Sequence, residues 1–329
     1  MDGPSRKRDR TALVTGIAGQ DGSYLAELLL AHGYRVVGVP RSGNPDLHRI
    51  AHIQDRLELR AADLLDEASL VALLRETTPT EIYNLAGHSF VPTSWDRPEI
   101  VGDATGLGTA RLLDAITITG SDARFYQASS SEIFGRASEA PQNEQTPVNP
   151  RNPYGAAKAF AHFMTRNARE QYGLFAVAGI LYNHESPRRG TEFLTRKVTD
   201  GAARVALGLV DSISVGSLDA RRDWGFAGDY VRAMWLMLQQ PEPSDFVIAT
   251  GVTHSVRDVC RIAFERVGLE YERHVVVDPA FVRPVEAVPL VGDASRARAM
   301  LDWRPEMSFT ELIQSMVDAD LERHRAARE

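Results

Sequence analysis

The chain has 329 residues, of which 43% are hydrophobic and 25% charged, as expected of a globular protein with a sizeable core. Its formal net charge of −7 argues against a general nucleic-acid binder. The single Cys260 excludes an intrachain disulfide, and no Cys/His cluster has zinc-ligand spacing, so no metal is expected. No stretch approaches the roughly 18 apolar residues of a membrane span, so we expect a cytoplasmic protein without a membrane partner.

Strand and helix patterns alternate through the first half of the chain. Apolar runs bounded by turn residues predict six strands, at Thr11–Thr15, Arg35–Val39, Leu57–Arg60, Glu81–Leu85, Arg124–Ser129 and Phe175–Leu181. Helical periodicity between them predicts four helices, at Tyr24–His32, Ser69–Thr77, Gly106–Thr119 and Tyr154–Tyr172. This alternation predicts an α/β fold: a doubly wound parallel sheet with helices on both faces.

Beyond about Asn183 the alternation is lost and Pro and Gly become frequent. Four more helices are predicted, at Arg196–Leu207, Ala227–Gln239, Val256–Val267 and Ser308–Arg325. Ser308 and Glu311 form a capping box for the last helix. We therefore expect residues 11–182 to form mainly the sheet domain and residues 183–329 mainly a smaller lobe, with the chain crossing back to the sheet.

A glycine-rich turn follows the first predicted strand. Glycines let the backbone turn sharply and approach a pyrophosphate, whose charge the following helix N-terminus stabilises. A glycine turn without a ligand is the alternative, but its place in a βαβ unit favours a dinucleotide site. The residues assigned to this site are Gly16, Ile17, Gly19, Gln20, Asp21 and Gly22.

The residue after the second strand distinguishes the two nicotinamide cofactors. An NAD site usually carries an acid in this region to receive the ribose hydroxyls. This chain instead has Arg41, whose rigid fork of donors can pair with a 2′-phosphate, so NADP is expected; a solvated loop arginine is the alternative. Further cofactor contacts are predicted beyond the third and fourth strands, at Asp63, Leu64, Leu85, Ala86 and Gly87.

Tyr154 and Lys158 form Y-x-x-x-K at the start of a predicted helix, so both lie on one helical face. A nearby ammonium favours the phenolate, so Lys158 can lower the pKa of Tyr154 and make it a base for a sugar hydroxyl.

A serine and a carboxylate end the strand before this helix. Ser130 supplies the hydroxyl that reductases and epimerases also use, whereas Glu132 is an additional group. Elimination of water needs one group to take the proton beside a new ketone and another to protonate the departing hydroxyl. The pair therefore favours a dehydratase, with a surface carboxylate as the alternative for Glu132.

Six segments resemble signature segments of the GDP-mannose 4,6-dehydratases, a family of extended short-chain dehydrogenases/reductases with a Rossmann fold. They are QASSSEIFG, NPYGAAK, LYNHESPRRG, RRDW, QQPEPSDFVIATG and RPVEAVPLVGDASRARAMLDW. The resemblance runs in order from about Thr11 to Glu322, and NHESPRRG and RPVEA resemble the GDP-sugar branch rather than the UDP- or dTDP-sugar relatives.

The resemblance implies a lyase that converts GDP-D-mannose to GDP-4-keto-6-deoxy-D-mannose and water by internal redox through bound NADP. The catalytic residues would be Ser130, Glu132, Tyr154 and Lys158. The sheet domain would bind NADP, with further contacts from Ser89, Tyr154, Lys158, His184 and Arg189. The smaller lobe would bind the nucleotide sugar, and the substrate-binding residues would be Ser89, Ser130, Glu132, Asn183, Lys197, Arg222, Arg283 and Glu286.

The chain departs from the family pattern at four places. Ser130 replaces the usual Thr, His88 replaces a Gln, and Pro40 replaces the first of two arginines. The segment 42–57 is shorter than a family loop that reaches a neighbouring subunit, so a homodimer is expected and a tetramer stays open. GDP-D-glycero-D-manno-heptose is the alternative substrate. A GDP-sugar epimerase or 4-keto reductase, and a non-catalytic nucleotide-sensing protein, are the alternative functions.

Overall fold

The computed structural model describes residues 10–41, 43, 46–281 and 288–328. The strands within these ranges are β1 (Thr11–Thr15), β2 (Arg35–Val39), β3 (Glu58–Leu59), β4 (Glu81–Asn84), β5 (Arg124–Ser130), β6 (Ala176–Leu181), β7 (Asn183–Glu185), β8 (Ile213–Val215), β9 (Arg221–Phe226), β10 (Phe246–Ile248), β11 (Thr253–Ser255) and β12 (Val275–Val277). The α-helices are α1 (Gln20–Ala31), α2 (Glu67–Thr77), α3 (Pro98–Val101), α4 (Gly108–Thr119), α5 (Pro153–Tyr172), α6 (Leu194–Ala206), α7 (Ala227–Leu238), α8 (Val256–Arg266), α9 (Ser295–Leu301) and α10 (Phe309–Ala326).

The chain divides into two compact units, each built from several segments. The first contains the described residues within Met1–Gly135, Val148–Ile180 and Val231–Phe246. The second contains those within Arg136–Pro147, Leu181–Tyr230 and Val247–Glu329.

The central sheet has seven strands in the order β10-β6-β5-β4-β1-β2-β3. The pairs β1–β2, β1–β4, β2–β3 and β4–β5 are parallel. Strand β1 therefore lies between β2 and β4, where the strand order reverses, and ligands of doubly wound folds bind outside the carboxyl ends at such a point. The predicted α/β doubly wound sheet is confirmed.

A continuous apolar core fills the space between this sheet and helices α2 and α4. Leu13, Ile82 and Phe125 come from neighbouring strands, and Leu112 and Ile116 from α4; all five side chains are fully buried. Most buried side chains of these strands are apolar, as expected of a parallel sheet covered by helices. This packing holds the carboxyl ends of β1, β4 and β5 side by side.

Several element boundaries differ from those predicted. Helix α1 begins at Gln20 rather than at Tyr24, because its first turn consists of polar residues and glycine that apolar periodicity does not register. The helix predicted from Gly106 begins as α4 at Gly108, after a π-helical segment at Gly102–Leu107. Such segments are often found beside functional sites.

The second unit contains a three-stranded sheet in the order β11-β9-β7 and a two-stranded sheet of β12 and β8. Its core joins helices α6, α8 and α10 through buried residues such as Val198, Phe264 and Met316. The Ser308–Glu311 capping box is confirmed, and Cys260 is buried. None of the described helices has the length and apolar character needed to cross a membrane.

Candidate active site

The glycine turn after β1 has a backbone path that only small residues allow. Gly16 has a φ of +71°, and its N–H donates to Val39 O at 2.9 Å. A Cβ at Gly16 would lie 3.0 Å from Ala86 N, and one at Gly22 would overlap Gly16 O. The turn therefore packs closely against β2 and the segment after β4, at the carboxyl end of the sheet.

The same turn leads directly into helix α1, whose N-cap is Gly19. The first N–H groups of a helix have no intrahelical acceptors, and the helix dipole favours negative charge there. Backbone without side chains, followed at once by a helix N-terminus, fits a dinucleotide pyrophosphate. Ile17 is fully buried beneath the turn, and Gln20 Nε2 donates to Asp21 Oδ1 at 3.1 Å.

The predicted residues after β2 and β3 lie in the same unit. Arg41 is exposed, and burial together with the charge of Arg41 lowers the pKa of His88. Asp63 Oδ1 accepts a hydrogen bond from Leu65 N at 2.9 Å, so this carboxylate shapes its own turn. Leu64 packs against Gly108 at the start of α4.

The segment after β4 is tied to β1 through a buried hydroxyl. Leu85 N and Ala86 N both donate to Thr15 Oγ1 at 3.2 Å. Gly87 has a φ of +158°, and Ser89 is exposed. The glycine turn and the predicted cofactor segment 85–87 are therefore brought together.

Tyr154 and Lys158 lie in the first turns of α5, and both are buried. The Lys158 ammonium lies 5.8 Å from the centre of the Tyr154 ring and donates to Ala128 O at 2.7 Å. Burial lowers the pKa of Lys158 to about 8, and the carboxylate of Asp21 partly opposes that shift. An ammonium beside a tyrosine favours the ionised form of the tyrosine. The lowered pKa of the Lys158 ammonium also suits a site of proton transfer.

Ser130 is the last residue of β5, and Glu132 follows in a 3₁₀ turn at Ser131–Ile133, well before α5 begins at Pro153. Glu132 N donates to Ser130 Oγ at 3.2 Å, and the Glu132 carboxylate accepts from Asn152 Nδ2 at 2.7 Å. Asn152 Oδ1 in turn accepts from Gly155 N at 2.7 Å and caps α5. The structure therefore brings Ser130, Glu132, Tyr154 and Lys158 together in one unit.

Asn152 is the residue that sequence reasoning missed. It holds Glu132 in place and also begins the helix that carries Tyr154. The signal was present, because an Asn followed by Pro153 at the first helical position is typical of a helix start.

Within the second unit, Asn183 and His184 lie on β7 and Arg222 on the neighbouring β9. The His184 ring stacks on Tyr230 at 4.7 Å, and His184 Nδ1 lies 2.7 Å from Tyr182 O. Two adjacent strands thus present an amide, an imidazole and a guanidinium.

The other basic residues predicted for the second unit pack on aromatic rings. The guanidinium of Arg189 lies 3.6 Å from the centre of the Phe193 ring, and Lys197 Nζ lies 4.2 Å from that of Phe281. Such packing fixes a cation over a ring face. Arg189 Nε also lies 3.3 Å from the buried carboxylate of Glu185. Arg283 and Glu286 lie outside the described residues.

Comparison with known proteins gives matches over most of the chain. A family model described as GDP-mannose 4,6 dehydratase matches residues 13–316. A Cricetulus griseus protein named GDP-mannose 4,6 dehydratase is 49% identical, covering 98% of this chain and 94% of its own.

Two solved structures show the same architecture. The UDP-glucose 4-epimerase of Thermus thermophilus in complex with NAD is 26% identical with a TM-score of 0.81, covering 94% of this chain and 98% of its own. RMD from Pseudomonas aeruginosa complexed with NADPH has a TM-score of 0.82, covering 95% of this chain and 99% of its own; at 24% identity this likeness shows the fold alone.

Proposed function

Because the chain belongs to the GDP-mannose 4,6-dehydratase family, we propose that it converts GDP-D-mannose to GDP-4-keto-6-deoxy-D-mannose and water. The observation that carries this proposal is Glu132, held by Asn152 at the start of the helix that bears Tyr154 and Lys158. Epimerases and 4-keto reductases have no need of such a carboxylate, whereas water loss requires it.

The residues divide the proton transfers among them. Tyr154, as phenolate supported by the Lys158 ammonium, takes the proton of the sugar C4 hydroxyl. A bound nicotinamide dinucleotide would supply reversible hydride acceptance. Glu132 takes the proton from C5, which the C4 ketone acidifies, and the C6 hydroxyl leaves as water with a proton from Glu132, aided by the Ser130 hydroxyl. The C5–C6 double bond left behind would be reduced by return of the hydride to C6 and of the Tyr154 proton to C5, which gives the 4-keto-6-deoxy sugar.

The cofactor is a nicotinamide dinucleotide, and we propose NADP in particular. The glycine turn and the α1 N-terminus accommodate the pyrophosphate, with Asp63, Leu64 and Leu85–Gly87 around the adenosine and nicotinamide parts. Arg41, exposed beyond β2 where NAD sites usually carry an acid, would pair with the 2′-phosphate. His184 and Arg189 are proposed as further contacts.

For the nucleotide sugar we propose two sets of contact residues. Ser89, Ser130 and Glu132 would bind the sugar. Asn183, Lys197 and Arg222 would bind the GDP part, since cationic donors suit a diphosphate. Arg283 and Glu286 are proposed to join them.

We also propose that the protein is a homodimer. Leu107, Phe160 and Phe163 are exposed on the α4–α5 side of the first unit, at 47%, 42% and 36%. Apolar side chains grouped in this way favour association. Sedimentation would give twice the chain mass, and Phe160→Glu should shift it to a monomer; a fourfold mass would instead support a tetramer.

The decisive test follows product mass without added free cofactor. Purified protein is incubated with GDP-mannose and, separately, with GDP-D-glycero-D-manno-heptose, and Glu132→Gln serves as the matched variant. Loss of one water from GDP-mannose, absent in the variant and without net NADPH, supports the proposal. Loss of water from the heptose substrate alone would reassign the sugar. Retention of the full mass with bound NADP would favour an epimerase or a sensing protein.

A further inference from the structure

A row of buried polar side chains runs beneath the carboxyl ends of the central strands. Thr15, Asn84, Thr109 and Gln127 are each only 1% exposed. Thr15 Oγ1 donates to Asn84 Oδ1 at 2.7 Å, and Asn84 Nδ2 donates to Gln127 Oε1 at 2.8 Å and to Thr109 Oγ1 at 3.1 Å. The interior of a parallel sheet is mostly apolar, so the burial of four hydrogen-bonded polar side chains calls for a structural or functional explanation.

The row ends at the acceptor of the Lys158 ammonium. Gln127 Nε2 donates to Ala128 O at 3.1 Å, and Lys158 Nζ donates to the same oxygen at 2.7 Å. The amide of Gln127 and the ammonium of Lys158 thus share one carbonyl. The other end of the row, Thr15, holds the amides of Leu85 and Ala86.

We propose that Gln127, oriented by Asn84 and Thr109, is a positioning residue that fixes the Ala128 carbonyl and thereby holds the Lys158 ammonium beside Tyr154. This proposal rests on the proposed dehydratase function, in which Tyr154 must ionise.

The arrangement of donors and acceptors supports this role. A primary amide can be flipped, but Oε1 of Gln127 accepts from the buried Asn84 Nδ2 at 2.8 Å, and the Thr109 hydroxyl lies 3.2 Å from the same oxygen. Flipping would leave the Asn84 N–H without this acceptor, which costs about 1–3 kcal/mol, whereas the Thr109 hydroxyl would keep Thr105 O at 3.0 Å as its acceptor. Nε2 must therefore face Ala128 O.

Two titratable groups act on Lys158 within the part of the chain that the structure describes. Tyr154 lies on its own helix, and Asp21 acts from the start of α1. Burial dominates, since the pKa of Lys158 is lowered to about 8 despite Asp21. A small displacement of the ammonium therefore changes the field at Tyr154 strongly, because little water screens it.

The test compares Gln127→Met with Thr165→Val. Methionine keeps the length of glutamine but removes both amide functions. Thr165 is buried on the same helix as Lys158, and its hydroxyl donates only to Ala161 O, so its loss is a matched control for a missing buried hydrogen bond. Two readouts are taken on the protein with its cofactor: tyrosinate absorbance against pH, with Tyr154→Phe subtracted, and the pH profile of kcat/KM for GDP-mannose.

We expect Gln127→Met to move both the tyrosinate transition and the acid limb of kcat/KM upward by about one pH unit, a tenfold loss below the limb. Thr165→Val should leave both in place. Unchanged transitions in a Gln127→Met protein of lowered activity would overturn the proposal and leave Gln127 a structural role.

Gln127→Glu decides the question if the methionine variant fails to fold. Its carboxylate keeps acceptors for Asn84 and Thr109, and its negative charge should raise the tyrosinate transition by more than the methionine does; an unmoved transition would again overturn the proposal. The absorbance readout does not depend on the sugar. Failure of the unmodified protein to release water from GDP-mannose would therefore refute the proposed function separately.

Discussion

Two buried cations, one in each unit, are held in different ways. Lys158 is 6% exposed, and its hydrogen-bond acceptor is the carbonyl of Ala128. Arg196 is 4% exposed, and its guanidinium binds both oxygens of the fully buried Asp320 at 2.5–3.0 Å. Arg196 also donates to Pro187 O and Arg189 O at 2.8 and 2.7 Å.

The difference separates a cation held for chemistry from one held for structure. The Ala128 carbonyl accepts a hydrogen bond but carries no counter-charge, so burial lowers the pKa of Lys158 to about 8 and its ammonium can release a proton. Arg196 is charge-paired and ties α6 to α10, while fixing the segment that carries Arg189. Burial raises the pKa of Asp320 to about 6, which the charge of Arg196 partly offsets. The two cations are similarly buried but unequally charge-compensated, which predicts unequal responses to mutation.

The largest expected effect is on activity. Lys158→Met should lower the rate of water loss from GDP-mannose by about 10²–10⁴-fold, because Tyr154 loses the cation that favours its ionised form. Product mass against time measures this rate, with Thr165→Val as the folded control. A Lys158→Met protein as active as the unmodified one would show that the Lys158 ammonium has no role in the chemistry.

The structural half is tested by unpairing Arg196. Asp320→Asn should lower the free energy of unfolding by about 3–5 kcal/mol, because a buried guanidinium then lacks its counter-charge. Urea unfolding measures the change. The double variant Arg196→Met/Asp320→Leu should recover most of the lost free energy of unfolding. A double variant as unstable as the single one would show that side-chain packing, rather than charge pairing, makes this contact stabilising.

The stability of Lys158→Met should change in the opposite sense. The folded pKa of about 8 lies below the ordinary 10.5, so the unfolded chain binds more protons between these values and stability rises with pH across that window. Below pH 8 the buried ammonium costs stability, and Lys158→Met should be more stable by about 1–3 kcal/mol. Urea unfolding at a series of pH values should show this gain disappear toward pH 10; a gain that is constant with pH would point to packing alone.

The smallest expected effect concerns the helix that carries Asp320. The Ser308 hydroxyl caps α10 by accepting from Glu311 N. Ser308→Ala should lower the free energy of unfolding by about 1 kcal/mol. Ser308→Asp, which restores an acceptor, should recover it; equal losses in both variants would mean that the cap contributes through something other than this bond.

Local patterns predicted much of the first unit. Strands β1 and β2 lie at their predicted bounds, because their apolar runs are short and end in turn residues. The glycine turn, the Y-x-x-x-K pair and the Ser308 capping box depend on spacings of a few residues, which the periods of strand and helix determine. The roles of the site residues stay predictions, since geometry shows their proximity rather than their chemistry.

The sequence by itself determined where β1–β6 and most helices form, to within a few residues, and which polar residues precede or follow them; it did not locate β7–β12, α3 or α9. Tertiary structure alone decided that Glu132 bonds to Asn152, that Lys158 reaches Ala128 O 30 positions away, and that Arg196 meets Asp320 124 positions away. The physical reason is that periodicity records which face of an element is apolar, but not which buried polar group another element will bring to it. Those partners are selected only when the core closes and every buried donor must find an acceptor.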